Sequence, residues 1–88
     1  MGRFCSEEEI KTMALFLLAK QRHEGKGFNV AGWELSKLKD DHSVRAPHCT
    51  LDWMWRHGYL RMHENDAGGY SITALNHKRL GDVIALEV

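Results

Sequence analysis

The chain has no net charge, no long apolar run and few cysteines or prolines. Twelve Lys and Arg stand against twelve Asp and Glu, which excludes a histone-like polycation that binds nucleic acid by charge alone. The balance also holds locally, with four charges of each sign in residues 1–24 and three of each in 25–41. Segment 42–64 is barely basic, with Arg45, Arg56 and Arg61 against Asp52 and Glu64. Met13 to Ala19, the longest purely apolar run, is seven residues, too short to cross a bilayer. Three glutamates precede it, the wrong charge order for a secretory signal. Cys5 and Cys49 form neither a CxxC pair nor a disulfide framework, so a reducing, intracellular and cytoplasmic setting is expected. One proline, no repeat and no low-complexity tract leave a single domain over 1–88. A 43% hydrophobic and 27% charged composition is that of a globular protein.

What is present is helical periodicity with clear stops. Ser6-x-x-Glu9 is a capping box, and Ile10, Met13, Ala14, Leu17 and Leu18 follow at helical spacing, predicting a first helix over about 7–23. Leu15 and Phe16 lie off that stripe, so a second element has to cover this helix. Gly25-Lys26-Gly27 ends it. Phe28-Asn29-Val30 suits a short edge strand. A second helix over about 31–40 groups Ala31, Leu35 and Leu38 and projects Trp33 the other way. Asp40-Asp41-His42-Ser43 is turn chemistry, with Val44 set to plug the core. Pro47 opens a third helix that runs to His57 and stops at Gly58. Its inner stripe is expected to be Leu51, Met54 and Trp55, with Cys49, Asp52, Trp53 and Arg56 outward. Residues 59–64 alternate, Asn65 to Gly69 form a hairpin loop, and Tyr70-Ser71-Ile72 return. Thr73 is the expected N-cap of a last helix carrying Leu75, Leu80, Val83 and Ile84. The order is helix, strand, helix, helix, hairpin, helix: mainly α with a small β-hairpin, an α+β fold.

Phe28-x-Val30, Leu35-x-x-Leu38, Leu51-x-x-Met54-x-x-x-Gly58-Tyr59-Leu60 and Tyr70-x-Ile72-Thr73-x-x-Asn76-x-x-x-Leu80 together resemble the winged helix-turn-helix family over about 28–80. Many members of that family have Gly where Asn76 stands. The resemblance implies a transcriptional regulator whose third helix (about 47–57) enters the major groove of double-stranded DNA, with the hairpin (about 59–72) as the wing beside it. Carried onto this chain, the base-facing residues are His48, Asp52, Trp53 and Arg56, with Thr50 at the margin. Lys37, Lys39, Arg45 and Arg61 would hold the phosphates. Arg56 is the strongest base reader, since a guanidinium pairs with guanine in bidentate fashion.

Three features depart from a DNA reader: an acid, Asp52, on the reading face; a bulky Trp53 at its centre; and a hairpin loop with Asp66 and no Lys or Arg. Trp33, Trp53 and Arg56 are the residue types enriched in protein hot spots. They point to a second reading, a protein-binding adaptor or inhibitor, for example a phage-encoded one, on the same fold. His42-x5-His48-Cys49-x7-His57-x5-His63 offers zinc-type ligands but fits no finger spacing, so no metal is expected. Cys49 and His48 are helical neighbours pointing about 100° apart, and no phosphate-binding glycine loop stands between a strand and a helix. No enzyme activity and no cofactor are expected. The apolar surplus on the first and last helices, with Val83, Ile84, Leu86 and Val88, predicts a homodimer joined through them.

Overall fold

The computed structural model describes residues 6–66 and 68–85. Four helices, α1 (Glu7–Glu24), α2 (Gly32–His42), α3 (Pro47–Arg56) and α4 (His77–Ile84), surround a sheet of β1 (Asn29–Val30), β2 (Leu60–Glu64) and β3 (Tyr70–Leu75). This is a small α+β fold with the predicted order of elements. The strands are antiparallel in the order β1-β3-β2. Met13, Leu17, Val30, Leu35, Leu51, Ile72 and Leu80 are fully buried and join the four helices and the sheet into one core.

The capping box that opens α1 forms as expected. Ser6 Oγ accepts the Glu9 N–H at 3.2 Å, and Glu9 Oε1 accepts the Ser6 N–H at 2.8 Å. Gly25, at φ 87°, closes the helix and returns its N–H to Gln21 O at 2.8 Å, a conformation glycine takes without steric strain. The second apolar side of α1 is met by α4 of the same chain. Val83 and Ile84 are half-buried against the core, whereas Leu15 stays 49% exposed. Leu86 and Val88, on which the expected dimer also leaned, lie outside the described residues, as does Cys5.

Two boundaries differ from expectation. Ala31 is the residue before α2 rather than part of it, and Glu34 accepts the Ala31 N–H at 2.9 Å. Asp40, Asp41 and His42 continue the helix instead of turning, because buried Leu38 anchors that end while Lys37 reaches Asp41 at 4.0 Å. The turn falls on Ser43 alone, at φ 60°, and it delivers Val44 into the core as expected.

Thr73 is not a helix cap. β3 runs on to Leu75, which pairs with Leu60, and the Thr73 hydroxyl donates to Arg61 O at 3.3 Å within the sheet. Asn76 takes the capping role, its Oδ1 accepting the Arg79 N–H at 3.2 Å. With φ at −91° it has no need of left-handed geometry. β-branched threonine is at home in a strand, so pairing with β2 outlasts the local capping signal.

Candidate nucleic-acid interface

α3 begins at Pro47, whose missing N–H costs little at a first helical position. Its buried stripe is Pro47, Thr50, Leu51 and Met54, turned by about 40° from the expected one at 100° per residue. That rotation corrects three assignments. Thr50, placed at the margin of the reading face, is 1% exposed, and its hydroxyl donates to Ala46 O at 3.1 Å. Trp55, expected inside, is 47% exposed. Trp53, expected at the centre of the outer face, is half-buried against the core.

Trp53 is held by aromatic neighbours. The His57 ring stacks on it with centroids 3.9 Å apart and planes 17° apart, and Tyr59 tilts against it at 5.7 Å. His57 Nδ1 also lies 2.8 Å from Trp53 O. Trp53→Ala is therefore expected to cost about 2 kcal/mol of folding stability through lost packing. A urea titration with an unshifted midpoint would show that Trp53 is free for a ligand instead.

The outward ridge of α3 is Cys49, Asp52 and Arg56, flanked by exposed His48 and Trp55. Asp52 Oδ2 accepts from Arg56 Nε at 2.9 Å, so this acid is answered on its own helix rather than facing outward alone. His48 Nδ1 sits 2.9 Å from the Tyr70 hydroxyl. Burial, and then the fields of Glu64, Asp52 and Cys49, raise the Tyr70 pKa.

The cations expected to grip phosphate divide into two groups. Lys39 and Arg45 line a hollow of about 410 Å³ at the start of α3, together with His48 and Cys49. Arg56 and Arg61 line a larger groove of about 850 Å³ between the end of α3 and the hairpin, beside Trp55. Lys37 lines neither hollow, and neither does Trp33, 68% exposed on the first turn of α2. Arg45 has a structural task that the spacing does not reveal: its Nε and its backbone N–H reach Glu9 Oε2 at 3.1 and 3.0 Å. The Arg45 guanidinium holds the Glu9 carboxyl down at about 2, against its burial. Toward the other end of α1 Lys20 bridges Glu24 and Glu34 at 2.7 and 2.8 Å. Burial would lower the Lys20 ammonium, yet these two carboxylates outweigh it and raise its pKa.

The hairpin loop is tied back rather than projecting. Gly69 is buried, its N–H donates to Asn65 Oδ1 at 3.1 Å, and its carbonyl accepts the Asn65 N–H at 3.0 Å. Since Val30 pairs with Tyr70, the loop lies against the junction of β1 and α2. The candidate site residue that sequence reasoning placed inside is Trp55, which stands at the surface. Counting Pro47 and Thr50 into the apolar stripe would have turned it outward.

No family model matches the chain, and neither a curated protein nor a solved structure does. Among the described residues no three His, Cys, Asp or Glu side chains gather around a metal position, and no helix is long and apolar enough to cross a membrane.

Proposed function

We propose that this fold is a winged helix-turn-helix that reads double-stranded DNA with α3, acting as a transcriptional regulator and performing no chemistry itself. The supporting observation is the open ridge of α3. Arg56, with 71% of its side chain exposed, stands on it, with Lys39 and Arg45 toward one end and Arg61 toward the other. A four-residue connection, 43–46, joins α2 to α3, and the hairpin lies beside the end of α3 as a short wing. In the major groove Arg56 reads a base while the other three cations meet phosphates. The proposal keeps a homodimer through α1 and α4, with Leu15 left for the second copy to cover.

Few phosphates can be held by so neutral a chain. Three contacts predict that the affinity for random duplex DNA falls with salt at a logarithmic slope of about −3. Arg56→Ala should cost about 1–3 kcal/mol at a selected site and relax specificity there, while Arg61→Ala weakens all sequences alike and flattens the slope. Absence of duplex binding at low salt would end this reading.

A protein-binding adaptor or inhibitor remains the second reading, and the observation that favours it is the exposure of Trp33 and Trp55 at 68% and 47%. On that account Trp33→Ala or Trp55→Ala costs about 2 kcal/mol or more of partner binding, and Arg61 behaves as a neutral rim residue.

A further inference from the structure

The groove between α3 and the hairpin sets an exposed indole beside two arginines. Trp55, Arg56 and Arg61 line it, and no carboxylate does. Asp52 holds Arg56 through Nε at 2.9 Å but does not line the groove. The other polar groups in the lining are already engaged. Thr73 Oγ1 donates to Arg61 O at 3.3 Å, and Asn76 uses Nδ2 on Gly58 O at 3.1 Å and Oδ1 on the Arg79 N–H.

We propose that this groove takes an unpaired nucleotide, its base lying on the Trp55 indole and its flanking phosphates between Arg56 and Arg61. The proposal rests on nucleic acid being the ligand, as above, and adds that part of the ligand is single-stranded. A duplex offers base edges in its grooves, while its base faces are covered by stacking. An exposed indole can be covered by a base only where the base has left the stack. No carboxylate lines the groove beside Arg61, and Arg56 keeps the guanidinium nitrogens other than the Nε held by Asp52. The two therefore supply the anion contact such a strand needs. Thr73 and Asn76 are each turned to a backbone partner and the two arginines are assigned to phosphate, so binding there should be tolerant of sequence.

The test compares a ten-nucleotide oligothymidylate with an abasic ten-mer carrying the same number of phosphates, by fluorescence anisotropy at low salt. Wild type should bind the oligothymidylate about tenfold more tightly, the order of one stacked base. Trp55→Ala should bind both probes alike, at the abasic level, while still melting in one cooperative transition, since about half of the residue is exposed. Arg61→Ala should weaken both probes and keep their ratio. Equal binding of the two probes by wild type overturns the proposal, and so does a ratio that survives Trp55→Ala. Competition by oligoglutamate as effective as that by oligothymidylate overturns it too, by showing that charge alone is recognised. Duplex binding without single-strand binding removes the groove site and leaves α3 as reader. Trp55-dependent single-strand binding without duplex binding does the reverse.

Discussion

Gly69→Ala is expected to destabilise the fold by about 3 kcal/mol, which for a domain of this size lowers the melting temperature by roughly 15 °C. A Cβ at position 69 would run into the Val30 carbonyl oxygen, with the Ala31 Cα only 3.0 Å away. Both obstacles are backbone and cannot rotate aside as a side chain would. Relief requires β1 to move from β3, breaking the pairs Asn29 with Ser71 and Val30 with Tyr70. Those pairs tie the hairpin to β1, while β2 is the strand that packs on α3, so ligand binding should weaken only as far as the whole hairpin shifts. Gly81→Ala is the matching control: it lies inside α4 with nothing within 4 Å of the added Cβ. There alanine should raise stability by about 0.5–1 kcal/mol, the ordinary helix-interior preference. A wild-type thermal melt for Gly69→Ala would show that β1 does not depend on this close approach.

Gly69 illustrates which parts of the molecule were legible in advance. Several patterns that act over three or four residues were read correctly: the Ser6 and Glu9 box, the Gly25 stop, Pro47 at a helix start and Gly68 in the hairpin loop. The turn expected over Asp40 to Ser43 is instead helical up to His42. What failed was every choice between two acceptable local answers. Thr73 and Asn76 can both cap a helix, and strand pairing decided between them. Trp53 and Trp55 both flank the stripe of α3, and Tyr59 and His57 decided which was covered. Gly69 reads as one of two loop glycines. Its close approach to Val30 exists only once β1 has docked. The candidate site suffered most, because a helix turned by about 40° keeps its core yet exchanges the residues on its flanks. Arg56 stayed outward because it lies opposite the centre of the stripe, where such a turn changes least.

The same limit hides the partner of Glu9, and from it comes the second large expected effect. Glu7, Glu8 and Glu9 read alike as acids in a first helical turn, but Glu9 alone is 7% exposed. It meets an N–H, a guanidinium and a second N–H from Arg45 and Ser6, within 2.8 to 3.1 Å. A carboxyl held at about 2 rather than 4.5 corresponds to about 3 kcal/mol. Solvent screening of the exposed guanidinium reduces this to about 2 kcal/mol, the expected cost of Glu9→Gln at pH 7. Because the folded pKa is the lower one, this stabilisation is complete above about 4.5 and fades as the pH falls toward about 2. Urea midpoints of wild type and Glu9→Gln should therefore converge on acidification. A gap that is the same at pH 7 and pH 2.5 would show that the charge of Glu9 contributes nothing. The variant also separates two roles of Arg45. Arg45→Ala removes a strut and a cation together, whereas Glu9→Gln loosens the strut and leaves the cation beside Lys39 and His48. If phosphate is held there, Glu9→Gln should keep the salt slope of DNA binding while losing stability. Arg45→Ala should lose both, because only that change takes a positive charge away from the start of α3.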